Sequence, residues 1–169
     1  MTLIDVGLVA NVATALAVIA GLAFGVIQLR QAERKRREAT AVAVIQSFQT
    51  PEFRRAMLRI FDLPEAAAHE TIRNDPQLRL AAETAIYTLE PVGLPVFERA
   101  LPLSTVDRVY GDSIRASWRR LGAYVKAERR ERGVAGLVEW YEWLAGRLNE
   151  YHFDESAAGA HVAHRDWRP

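Results

Sequence analysis

The sequence predicts an all-α protein: a single N-terminal transmembrane helix followed by a cytoplasmic helical bundle that ends in an antiparallel helical hairpin. Three observations predict it. Residues Val6 to Leu29 form a run of 24 residues without a charge. The stretches that follow place apolar residues three and four apart, the period of a helix buried along one face. No stretch of useful length alternates apolar with polar residues, as a half-buried strand would.

As a helix the uncharged run rises about 36 Å, against a hydrocarbon core about 30 Å thick. Twelve of its residues are Leu, Ile, Val or Phe, each worth roughly −0.3 to −0.6 kcal/mol near the centre of a span. A cleaved signal peptide would want a basic start, a run of about 7–15 residues and a small-residue cleavage site. Here Asp5 precedes the run and Leu29-Arg30 closes it. The next residues, RQAERKRRE, bring Arg30, Arg34, Lys35, Arg36 and Arg37. Basic residues gather on cytoplasmic flanks. The expected protein is therefore single-pass in the inner membrane, with its N-terminus outside, its body in the cytoplasm, and these five side chains against the anionic bilayer surface. Within the run Ala13, Ala17, Gly21 and Gly25 recur every fourth residue. Such a strip of small residues lets a second helix approach closely, which points to a homo-oligomer or another membrane protein as partner.

The formal net charge of +1 conceals a division. Asp5 carries −1 and residues 30–38 carry +3, leaving −1 for residues 39–169 with histidines neutral. A body so nearly neutral lacks the basic face of a nucleic-acid-binding domain, so no nucleic-acid partner is expected. The chain has no cysteine, which excludes disulfides, thiolate catalysis and cysteine-based zinc sites.

The domain reading is 1–29 for the outer end and span, 30–49 for a basic juxtamembrane helix, 50–152 for the bundle and 153–169 for a flexible tail. No Pro or Gly lies between Gln28 and Gln49, so the first helix is expected to run on unbroken. Thr50-Pro51-Glu52 reads as an N-cap, a first-turn proline and a first-turn acid. The helix it opens sets Phe53, Met57, Ile60 and Phe61 on one face and stops before Pro64. Glu65 to Asn74 is a short helix or loop. Asp75-Pro76 opens the next helix, with Leu78, Ala82, Ala85, Ile86 and Leu89 inward. Pro91 and Pro95 each remove a donor, so this helix is expected to end or kink near Glu90, with a short helix around Val96 to Ala100. Ser104 with Asp107 reads as a capping arrangement for a brief helix ending at Gly111. Ile114, Trp118, Leu121 and Val125 form one stripe; Leu137, Tyr141, Leu144, Leu148 and Tyr151 form the other. Arg129, Arg130 and Arg132 ahead of Gly133 mark a helix C-terminus between them.

Chemistry is sparse. There is no GxGxxG, no GxxxxGK followed by Ser or Thr, and no GxSxG. His161, His164 and Asp166, with His152 and Asp154, have metal-ligand chemistry but lie in a segment with no frame to hold them. His69 stands alone in an alanine-rich linker and is read as exposed. Glu139 and Glu142 share a helix face, as solvated glutamates commonly do. No catalytic residue, cofactor or metal ligand is assigned. Trp140 and Trp143 lie off the main stripe of the last helix and widen it into a second face. With Tyr151 they are the candidate partner surface.

The segments QLRQAERKRREATAVAVIQSFQTPEFRRA, LAAETAIYTLEPVGLPVF, SIRASWRRLGAYV and EWYEWLAGRL together resemble a bacterial family of membrane-anchored helical domains of unknown function. The resemblance covers residues 1 to about 150. It is most specific at Ser47 to Phe53, at Trp118-Arg119-Arg120 and at Glu139 to Leu144; Pro91 and Pro95 depart from the family pattern. It implies one N-terminal transmembrane helix with a cytoplasmic all-α domain, and brings no assigned activity. The expected function is a non-enzymatic interaction or scaffold module, self-associating or docking on a larger membrane complex. The alternative is a sensor or effector in bacterial stress or antiviral defence, acting at the membrane.

Overall fold

The computed structural model describes residues 3–151, 162 and 165–168, with the side chains of residues 3–13, 15, 17 and 38 excepted. Most of the expected tail therefore lies outside the described residues, as do the side chains of Ala13 and Ala17. Every element described is helical. The chain divides into two compact units, Met1–Ala41 and Val42–Pro169.

The first unit is one helix. α1 spans Leu3–Phe48, and its last turns belong to the second unit. It continues unbroken past Gln28, as the absence of Pro and Gly there requires. Leu22, Phe24, Ile27 and Leu29 are all more than half exposed along it. The transmembrane span is not shown: among the described residues no helix is long and apolar enough to cross a membrane.

The second unit is the bundle. α2 (Pro51–Phe61) starts where its cap directs: the Thr50 hydroxyl accepts from the Phe53 N–H at 3.3 Å. Phe53, Met57 and Ile60 are buried as expected, whereas Phe61 is 37% exposed. After α3 (His69–Asn74), the Asp75 carboxylate takes the N–H groups of Gln77 and Leu78 and opens α4 (Pro76–Phe97). α4 packs on α2, α3 and α7, and α6 packs on the same three. Ile60, Ile72, Leu89, Ile114, Leu121, Leu144 and Leu148 are almost fully buried between these helices.

Two expected helix ends are absent. α4 does not end near Glu90 but remains helical through Pro91 and Pro95 to Phe97, and no separate helix covers Val96 to Ala100. The carbonyls that the prolines deprive of an i+4 donor belong to Tyr87 and Pro91, and both residues are exposed, where solvent can satisfy a freed carbonyl at little cost. Nor is Gly111 a helix end. α5 (Leu103–Val106) begins after Pro102, without a Ser104 cap, widens into a π turn over Asp107–Gly111 and runs directly into α6 (Asp112–Arg132). The carboxylate of Asp107 is not a cap but the partner of Arg115, at 2.7 Å. Gly111 leaves room for it, since a Cβ there would overlap Asp107 Oδ1.

The closing hairpin is as the two stripes require. Gly133 ends α6 at φ +63°, a left-handed value that costs glycine little. α7 (Glu139–Glu150) returns antiparallel, with Arg115 reaching Leu148 O, Ser117 meeting Tyr141, and Arg129 gripping Leu137 O and Glu142. Trp118, expected within the stripe, is only half-buried and lies edge-on to Tyr141. Val138, before α7, offers no side-chain cap. Glu90 of α4 supplies one from 50 residues away, accepting from the Trp140 and Tyr141 N–H groups at 3.2 and 2.8 Å.

Candidate functional site

The small-residue strip is only partly described. Gly21 and Gly25 lie on α1, and a Cβ at either would meet nothing within 4 Å. The basic residues Arg30, Arg34, Lys35, Arg36 and Arg37 follow on the same helix and are exposed.

The aromatic face is better defined. Trp140 and Trp143, one helical turn apart on α7, touch edge to face at a centroid distance of 6.1 Å. Phe97, the last residue of α4, joins them at 5.2 and 5.8 Å. Both tryptophans are half-buried, while Phe97 is 57% exposed. Tyr151 lies beyond the end of α7, its N–H held by Arg147 O at 2.9 Å. The apolar character extends along the outer side of α4, where Leu80, Tyr87 and Leu94 are 59%, 63% and 40% exposed. Pro91 fills the same side between the last two. The sequence hid this strip, because the inward and outward apolar positions of α4 overlap in one continuous run.

His69 is the clearest correction. It is neither alone nor exposed: its side chain is 10% accessible, with Nε2 3.0 Å from Glu128 Oε1 and Nδ1 3.8 Å from Glu131 Oε1. The ring stacks on Tyr124 at 5.4 Å. Arg132 pairs with Glu128 at 2.6 Å and Arg73 with Glu131. One imidazole and two carboxylates with donor atoms within 4.8 Å of one another have the chemistry of a metal-ligand set. Here, however, both acids are already neutralised by arginines. The arrangement is an ionic clamp fastening α3 to α6.

The His69 hydrogen bond, aided by Arg132 and opposed by burial, holds the Glu128 carboxyl below its ordinary range. A carboxyl lowered in the folded state stabilises above its unfolded pKa and loses that contribution as pH falls. Glu128→Gln is therefore expected to lower stability by about 1–2 kcal/mol at neutral pH. The gap from the native chain should close as pH falls below the ordinary glutamate range and the native carboxyl protonates. Urea unfolding over that fall in pH checks it, and a gap independent of pH would contradict the assignment.

A third feature lies where α1, α2, α4 and α6 meet. A cavity of about 260 Å³ opens among Phe48, Phe53, Met57, Leu89 and Ile114. The π turn brings Tyr110 to its edge, where the ring meets Phe48 edge-on at 4.1 Å. Arg54 is the cavity's sole charged lining residue.

Helices, a clamp of ion pairs, an aromatic face and one apolar cavity define an all-α helical domain. The chain matches the model of the family described as Domain of unknown function (DUF4760) over residues 6–148, and it belongs to that family. No curated protein and no solved structure matches the chain.

Proposed function

We propose that this protein is a non-enzymatic interaction module, tethered to a membrane through the N-terminal part of α1 and assembling with further copies of itself through α4. The carrying observation is the solvent-facing apolar strip of Leu80, Tyr87, Pro91 and Leu94, which ends in the Phe97, Trp140 and Trp143 cluster. Exposed apolar residues scattered singly need no explanation, but four on one side of a helix that ends in an aromatic cluster suit a protein interface. The tether draws support from the uncharged run of 24 residues, whose described part is apolar and exposed on all sides. The basic residues that follow it favour a body on the cytoplasmic side of the inner membrane. The strip near Gly21 and Gly25, open on its own helix, would let α1 contribute to the same assembly or to docking on a larger membrane complex.

The chain lacks cysteine, so single cysteines report contacts cleanly. Leu94→Cys in native membranes should give disulfide-linked dimers under mild oxidation. Arg55→Cys, at a side chain 73% exposed on α2, should give few. Equal yields at both positions would exclude α4 as the self-associating face. The second reading, a sensor or effector in stress or antiviral defence, is favoured by one observation, the apolar cavity beside Tyr110.

A further inference from the structure

We propose that this cavity binds a single-chain amphiphile with an anionic head of the carboxylate class, its chain inside and its head on Arg54. The inference does not depend on the docking role of α4.

Size sets the chain. An apolar cavity of about 150 Å³ is known to hold benzene, a six-carbon molecule. By that ratio 260 Å³ takes an apolar body of about ten carbon atoms. The walls are aromatic and aliphatic side chains from α1, α2, α4, α6 and the π turn, the kind of surface that retains an alkyl chain through burial.

Charge sets the head. Arg54 is the only charged residue lining the cavity, and no acid lines it. Its neighbours on α2 have other engagements: Arg55 pairs with Glu52, while Asp62 closes the helix backbone. The guanidinium of Arg54 makes no ion pair and no side-chain hydrogen bond among the described residues. A guanidinium presents a planar fork that matches a carboxylate with two parallel hydrogen bonds. Tyr110 and Ser113 place two hydroxyls on the same lining, and both hydroxyls can donate to a carboxylate oxygen. Burial raises the Tyr110 pKa, so at neutral pH this residue is a hydrogen-bond donor and not a competing anion. One cation with two hydroxyls, set over an apolar chamber, is complementary to a fatty-acid-like molecule.

The test uses the full chain in neutral phosphatidylcholine vesicles. The probes are a saturated carboxylic acid of about ten carbons carrying a diazirine on its chain, and the corresponding alcohol. After photolysis, the acid should label peptides containing Phe53 to Met57 and Tyr110 to Ile114. The alcohol should label them roughly tenfold less, the loss expected when a charge-assisted hydrogen bond is removed. Arg54→Gln should bring the acid down to the level of the alcohol. Ser113→Phe should abolish labelling by filling the chamber. Leu58→Trp, at a position 67% exposed, should give the same loss by blocking the mouth without touching the core. Equal labelling by acid and alcohol, undiminished labelling in both filling variants, or no label at these peptides would each overturn the proposal.

Discussion

Tyr141→Ala should cost the bundle about 3–5 kcal/mol, the range for truncating a fully buried aromatic side chain. Tyr141 has no exposed surface, and its ring lies against the edge of Trp118 at a centroid distance of 5.0 Å. Its hydroxyl is 2.7 Å from Ser117 Oγ. The Ser117 hydroxyl already donates to Ser113 O, at 2.7 Å, with Ile114 O next at 3.1 Å, so Tyr141 is the donor in the bond between them. Tyr141→Phe removes that one bond and keeps the packing, for an expected loss of about 1 kcal/mol.

The same residue gives an alkaline signature. Burial pushes the Tyr141 pKa far above the ordinary tyrosine range, and the Ser117 bond offsets only part of this. Above about pH 10 the unfolded chain releases this proton while the folded chain retains it. Its contribution, complete below the unfolded pKa, is then lost as pH rises, with a slope of about 1.4 kcal/mol per pH unit. Urea unfolding at neutral and alkaline pH would show that slope reduced in Tyr141→Phe. A loss under about 1 kcal/mol for Tyr141→Ala would mean that α7 is not docked on α6.

Gly93→Val is the second large effect, expected at about 3 kcal/mol or more. On an isolated helix, replacing glycine by alanine gains about 1 kcal/mol. At Gly93 the added Cβ would overlap the carbonyl oxygen of Trp140 and sit 2.8 Å from its carbonyl carbon. That carbonyl cannot swing away easily, because Glu90 holds the N–H groups of Trp140 and Tyr141 only one turn earlier on α4. Overpacking of this kind costs about 1–3 kcal/mol for a small addition. Gly93→Ala is therefore expected to lose about 1–2 kcal/mol in spite of its helix propensity, and the branched valine more. Thermal unfolding of the two variants decides the matter. A gain in stability for Gly93→Ala would show that α4 and α7 do not cross at this point.

Much of the bundle was legible because it is written in local signals. Thr50-Pro51, Asp75-Pro76 and Gly133 each sit where their own side chains or ring geometry dictate, and the structure begins or ends helices there. What escaped the sequence is carried by residues far apart along the chain. His69 and Glu128 are 59 positions apart, and nothing near His69 signals that α6 will bring two glutamates to it. Glu90 reads as one more helical acid until α7 begins above it. The prolines of α4 mislead for a different reason. The rule against interior proline counts a lost hydrogen bond, but the loss is small where the orphaned carbonyl faces water, and facing is a tertiary property. The aromatic face was visible as two tryptophans off the stripe, whereas its third ring, Phe97, follows two prolines that seemed to end the helix.

The π turn at Asp107–Gly111 has a consequence for chain length. A turn closed by i+5 bonds holds one residue more than an α-helical turn, so the helix from Leu103 to Arg132 contains one surplus position. Removing a single residue from this turn would let the helix continue in ordinary register. Because the wider turn sweeps about the same angle with one residue more, Leu103 and Val106 would keep the faces they now occupy. The change would be local: the bulge that presents Asp107 to Arg115 and Tyr110 to Phe48 would close, and both side chains would be re-aimed. Single-residue deletions inside helices normally scramble the core. Here one is expected to spare it and alter the cavity edge, so the surplus residue serves the placement of Tyr110 and not the packing of the bundle.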